Sequence, residues 1–154
     1  MTISTDLLAD RADLIAPLTR LMEREWADWY GTGQASARHD LEQRSVRDRL
    51  PLGIVAHLDG GLAGTCALTE TSGELVTDRR PWIGGLLVDP ACRRRGVARS
   101  LLNRAIVEAR KLGFGRLFAL SAHARHLFEA EDWQLIETIT LDGEPHGIYM
   151  VETA

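Results

Sequence analysis

The residues best placed to do chemistry lie between Gly84 and Leu102, in the run GGLLVDPACRRRGVARSLL. Leu86, Leu87 and Val88 read as an apolar strand, Asp89-Pro90 as a sharp turn, and Val97 onward as a helix. Between strand and helix, Arg93, Arg94 and Arg95 crowd against Gly96. A strand that enters a helix through a glycine-containing loop is a device for holding phosphate. The first helical N–H groups have no partner inside the helix, and the macrodipole puts partial positive charge on them. Gly96, with no Cβ, lets an anion come up to the backbone. Arginine side chains beside those amides would add charge-assisted hydrogen bonds. The plain alternative is a βα junction with a solvated arginine run, and the loop taken alone admits both.

The elements that must position this loop are legible in outline. A chain of 154 residues has the size of one domain, and residues 1–154 are read as a single one. Its 45% hydrophobic and 26% charged residues are those of a soluble globular protein. No apolar run reaches the roughly 18 residues of a membrane span, and the start lacks the basic and apolar stretches of a secretory signal. The expected compartment is the cytoplasm, with no membrane partner. A net charge of -4 argues against nucleic acid. Cys66 and Cys92 have no metal-ligand spacing, so no metal is expected; Cys66 reads as a buried small hydrophobe.

From about Asp10 to Tyr30, Leu14, Leu18, Leu21, Met22, Trp26 and Trp29 recur at helical spacing, and Gly31 and Gly33 end the run. Ser36 to Leu50 reads as a second, largely exposed helix capped by Ser36 or Asp40 and closed by Pro51. Gly53–Leu58 and Leu62–Thr69 flank Asp59-Gly60-Gly61 as a β-hairpin, with His57 in a structural or surface role. Residues 70–80 form a polar loop. After the strand from Trp82 and the helix ending at Gly113, Arg116–Ser121 reads as a strand parallel to Trp82–Val88. A short helix from Ala124 to Ala130 and two terminal strands, Gln134–Leu141 and Ile148–Glu152, complete the order α-α-β-β-β-α-β-α-β-β.

This order, together with Arg93-x-x-Gly96-x-Ala98, resembles the GNAT superfamily of N-acetyltransferases, whose pyrophosphate loop reads [Gln/Arg]-x-x-Gly-x-[Gly/Ala]. Leu127-Phe128-Glu129 followed by Asp132-Trp133 is similar to that family's Leu-Tyr-Glu…Gly-Phe landmark. The resemblance covers nearly the whole chain. It implies a single-domain α/β (α+β) fold: a mixed, mostly antiparallel sheet flanked by helices, with a splayed parallel strand pair at the cofactor site. It also implies acetyl-CoA as cosubstrate and a small-molecule or peptide amine as acceptor. A homodimer through the terminal strands is compatible with the family.

Carried onto this chain, the resemblance implies that Leu86, Leu87 and Val88 hold the pantetheine arm. Arg93, Arg94, Arg95, Gly96, Val97, Ala98, Arg99 and Ser100 would hold the phosphates, with His123 and Phe128 beside the arm. A backbone N–H near Leu87 or Val88 would polarise the thioester carbonyl. The chain departs from the pattern at Phe128, where relatives carry a tyrosine able to protonate the leaving thiolate. His123, Tyr30 or water could take that task. For a base, Glu25, Glu70, Glu74 or a water relay are open. Trp29, Tyr30, Trp82 and His146 are the expected acceptor lining. The alternative is a non-catalytic acyl-CoA-binding or regulatory module on the same fold. A P-loop nucleotide site has no Gly-x-x-x-x-Gly-Lys-[Ser/Thr] run to stand on.

Overall fold

In a computed structural model, which describes residues 1–33, 35–73 and 75–154, the chain opens on a strand absent from the expected order. β1 (Ile3–Leu7) is five residues long and pairs antiparallel with β2 (Leu52–Leu58). So short a segment has little periodicity of its own, and it is a strand because β2 lends it a partner. β2 turns into β3 (Gly61–Thr69) through Asp59 and Gly60, both left-handed (φ 52° and 85°), the hairpin geometry that Asp-Gly favours. His57 is structural, as expected. Its Nε2 lies 3.1 Å from the Arg11 guanidinium, which can only donate, so the ring proton sits on Nδ1.

The first long helix is not continuous. Two 3-10 turns at Leu8–Asp10 and Ala12–Leu14 lead into α1 (Ile15–Glu25), and Trp26 then leaves helical geometry (φ -122°, ψ 46°). α2 (Ala27–Tyr30) restarts beyond it. The second helix is also shorter than its sequence suggests. α3 (Ala37–Gln43) begins at Ser36, whose hydroxyl accepts from His39 N–H at 3.1 Å. It stops because the Arg44 carbonyl takes the Gly53 amide of β2 at 2.8 Å, a tertiary bond that competes with further helical ones. Nor is α3 an exposed helix: Leu41 and Ala37 are 0% and 3% exposed and pack with Leu8, Leu18, Met22 and Val55.

β4 (Trp82–Val88) pairs antiparallel with β3 and carries a bulge. Ala67 faces Gly84 and Thr65 faces Leu87, so β4 spends one residue more than β3 across this step. Gly85 takes φ 56° there. The extra residue inverts the side-chain alternation. Ile83 and then Leu86 and Val88 pack under α4 (Val97–Lys111), while Leu87 goes to the α1/α3 face.

β5 (Arg116–Ser121), α5 (Arg125–Ala130), β6 (Gln134–Leu141) and β7 (Glu144–Glu152) complete a seven-stranded sheet in the order β1-β2-β3-β4-β5-β7-β6. Every neighbouring pair is antiparallel except β4–β5, which register only at Trp82↔Phe118. Beyond that point the two strands diverge, as the expected splayed pair does. α4 covers one face of the sheet and α1 with α3 the other face of its N-terminal half. Cys66 is fully buried under α4, and burial pushes its thiol up to about 12. Among the described residues no helix is long and apolar enough to cross a membrane.

Candidate active site

Past their one register point β4 and β5 part, and a cavity of about 550 Å³ lies where they do. Its floor is Ile83, Gly84, Gly85 and Leu86 of β4 against Ala119, Leu120 and Ser121 of β5. One wall is Trp26, Trp29, Tyr30, Asp40 and Arg44, the rim is Thr69 with Thr71 to Gly73, and α5 closes the end with Ala124 and Phe128.

The open edge of β4 offers amides to this cleft. The Asp89 N–H donates back to Ala63 on β3 at 2.8 Å. N–H groups alternate in direction along a strand, so that of Val88 faces the β5 side.

The loop beyond it is shaped to leave further amides open. Asp89 caps a 3-10 turn (Pro90–Cys92) by accepting from Ala91 N–H at 3.0 Å. Arg94 and Gly96 then take left-handed conformations, φ 62° and 86°. Gly96 is the residue before the first turn of α4 and has no side chain to cap it, and the first helical bond runs from Ser100 N to Gly96 O at 3.1 Å. The N–H groups of Val97, Ala98 and Arg99 therefore have no intrahelical acceptor. A Cβ at Gly96 would meet Ile3 Cδ1 at 3.6 Å, so space exists but the backbone disfavours a side chain. Arg93 reaches Glu25 at 3.7 Å, Arg24 reaches Asp89 at 3.8 Å and Arg99 reaches Glu131 at 3.2 Å, which ties the loop to the ends of α1 and α5. Arg94 and Arg95 are exposed and, among the described residues, make no ion pair.

On the cavity wall, the Tyr30 hydroxyl donates to Asp40 Oδ2 at 2.9 Å. Burial, and then the Asp40 carboxylate that accepts its proton, push the phenol up to about 12. Arg44 lies beneath the bulge, where a Cβ on Gly85 would stand 2.9 Å from its Nη1. That Nη1 is buried with no hydrogen-bond partner among the described residues. A buried donor left unmade costs on the order of 1–3 kcal/mol.

The expected site residues divide. Leu86, Phe128, Trp29 and Tyr30 line the cavity, and Arg93 to Ser100 form the neighbouring loop and helix start. Phe128 is 2% exposed, stacked on Tyr149 (4.9 Å between centroids) and edge-on to Trp133 (5.1 Å), so it is also a core residue. His123, Trp82 and His146 do not line the cavity. The His123 side chain is 84% exposed and pairs with Glu144 at 2.8 Å. Trp82 is wholly buried against Phe118 and Ile148, its indole N–H bonded to Arg79 O at 2.8 Å. His146 Nδ1 sits 2.9 Å from Glu144 O. Of the carboxylates open as bases, Glu70 is held by Arg80 at 2.8 and 2.9 Å and Glu25 by Arg24 and Arg93. Neither lines the cavity, and Glu74 lies outside the described residues.

The residues that sequence reasoning missed are Asp40 and Arg44. A signal for them exists. Ala37, Asp40, Leu41 and Arg44 stand at i, i+3, i+4 and i+7, so the two charges share the inward stripe of α3 with its two buried apolar residues. A polar residue on an inward stripe is the informative kind.

A family model described as the acetyltransferase (GNAT) family matches residues 18–131. Among solved structures, an aminoglycoside 6'-N-acetyltransferase complexed with coenzyme A superposes with a TM-score of 0.77 at 13% identity, covering 100% of this chain and 98% of that one. A GNAT-family acetyltransferase from Bacillus cereus gives 0.72 at 16%, covering 99% and 98%. The protein yncA from Salmonella typhimurium, solved with its cofactor acetyl-CoA, gives 0.73 at 16%, covering 100% and 95%. At these identities the likeness shows the fold. No curated protein is significantly similar in sequence.

Proposed function

Because the chain belongs to the GNAT acetyltransferase family, and so to the acyltransferases, we propose that it moves an acetyl group from acetyl-CoA directly to a primary amine of a small molecule or peptide. The observation that carries this reading is that one strand, β4, lines a cavity that contains a carboxylate and leads through a short loop into a helix start whose first amides have no intrahelical acceptor.

The residues fit the cosubstrate. Amides of Val97 to Arg99 and the arginines around Gly96 would hold its phosphates, and the β4 edge at Leu86 to Val88 its arm. Bound there, acetyl-CoA supplies an activated acetyl thioester. The Val88 N–H is the donor we assign to the oxygen on which negative charge develops. Asp40, the one carboxylate on the cavity wall among the described residues, takes the proton that the amine loses, directly or through a water. Tyr30 holds Asp40 in place. Its phenol, pushed up to about 12, is a poor acid toward a thiolate, since thiols are the stronger acids (cysteine about 8.5). With Phe128 unable to donate, water is the proton source for the departing sulfur.

Isothermal titration with acetyl-CoA should give a Kd on the order of micromolar, and an amine library read by thiol release should contain acceptors. Absence of cofactor binding would defeat the reading. Cofactor binding with no turnover of any amine would instead favour the non-catalytic acyl-CoA module, for which Phe128 is the argument.

His123→Ala separates surface from site. An exposed pair such as His123–Glu144 contributes at most about 1 kcal/mol. Acetyl-CoA affinity and kcat are expected to stay within about twofold; a tenfold loss of kcat at unchanged melting temperature would return His123 to the chemistry.

A further inference from the structure

The wall that α3 presents to the cavity holds two opposite charges that do not meet. Asp40 and Arg44 stand at i and i+4. At the same spacing Arg38–Glu42, Arg104–Glu108 and Arg125–Glu129 close ion pairs of 3.2, 3.2 and 2.6 Å. Here the carboxylate takes the Tyr30 hydroxyl instead, and the guanidinium turns under the bulge with Nη1 buried and unpartnered among the described residues. They are also the only charged side chains that line the cavity among the described residues. Both charges face one cavity of about 550 Å³, so its wall is bipolar on the scale of a small molecule. It is complementary to a ligand with one positive and one negative group. A polycation would find a single carboxylate, and an amine without a carboxylate would leave Arg44 without a counter-ion.

We propose that the acceptor carries a carboxylate together with its amine, so that the substrate class is free amino acids. This deepens the acetyl-transfer reading and rests on it. Arg44 faces the acceptor carboxylate as its counter-ion, while the ammonium faces Asp40 and loses one proton to it before attack; the second N–H proton, acidified in the tetrahedral adduct, passes through water to the departing sulfur. Trp29, 65% exposed at the rim, supplies an apolar wall for the amino acid's side chain. The uncharged hydroxyls of Thr71 and Ser72 complete the lining beside it.

The test compares the twenty amino acids with their α-carboxamides as acceptors, by thiol release, for the unaltered protein and for Arg44→Ala and Arg44→Gln. Acetyl-CoA affinity is measured in parallel. At least one amino acid is expected to exceed its carboxamide by about tenfold or more in kcat/KM, since a charged fork discriminates a carboxylate from an amide. In both variants that acid should fall to the level of its carboxamide through KM, with acetyl-CoA affinity retained. Arg44→Gln keeps much of the stem's packing, so the two variants together separate a folding defect from a lost contact. Carboxamides that match their acids, or a preference that survives both variants, would overturn the proposal while leaving acetyl transfer standing. So would turnover confined to amines without a carboxylate. Failure to bind acetyl-CoA would strike the acetyl-transfer reading itself and this proposal with it.

Discussion

Asp40→Asn is expected to lower kcat/KM by ~10²–10³-fold, with acetyl-CoA affinity unchanged. The substitution keeps the shape of the wall: the Tyr30 hydroxyl, now 2.9 Å from a carboxylate oxygen, can donate equally to an amide oxygen. What is lost is the ability to take a proton. An acceptor amine is mostly ammonium at neutral pH and must be deprotonated to attack. With Asn at this position that proton has to leave to solvent, so the variant's rate should rise tenfold per pH unit up to the acceptor's own pKa. The deficit relative to the unaltered protein should therefore shrink as pH increases. A deficit under about threefold would remove Asp40 from the proton path. A large deficit that is constant with pH would make it a binding group only. Asp40 lies on the cavity wall and not among the residues of the Asp89–Ser100 loop, which is why cofactor affinity serves as the internal control.

The second large effect is expected at the other end of the cleft. Gly96→Trp should weaken acetyl-CoA binding by ~10²-fold or more. Two terms combine. A non-glycine residue at φ 86° costs on the order of 1–3 kcal/mol, part of which the helix start can avoid by reorienting its first amides. The indole would then stand where we propose that the pyrophosphate approaches, and each hydrogen bond to a charged group that is lost is worth about 1.5–3 kcal/mol. Gly96→Ala carries the backbone term without the bulk, because the nearest atom to its Cβ would be Ile3 Cδ1 at 3.6 Å. It should fall between the unaltered protein and the tryptophan variant in affinity. Calorimetric titration, with melting temperatures to monitor folding, gives the comparison. Unchanged affinity in Gly96→Trp would remove the phosphates from this loop.

The two effects sit about a strand apart and were not equally legible. The loop is local in sequence: strand, turn, arginines, glycine and helix follow one another, and each enforces its geometry through its own backbone preferences. The left-handed Gly96 and the bulge around Gly84-Gly85 are of this kind, since in both only a missing Cβ makes the conformation cheap. The acceptor wall is not local. His123 and Trp82 had reasonable chemistry and adjacency to the cofactor strands, yet one ended as an exposed partner of Glu144 and the other in the core under Arg79. Trp82 turns into the core at the start of β4, ahead of the bulge, and His123 lies in the loop beyond the end of β5, and the neighbours of neither residue in sequence encode that placement.

By itself, then, the amino-acid sequence determined the β2–β3 hairpin, the β4–loop–α4 unit and the order of the elements after residue 50, because turn residues and hydrophobic periodicity act over a few residues. Three things waited on the tertiary structure. β1 exists only as the partner of β2, α3 stops where the Arg44 carbonyl meets Gly53, and the charges of Asp40 and Arg44 acquire meaning only beside Tyr30 and Gly85. Each depends on groups far apart in the chain, and no local preference encodes which of those groups will meet.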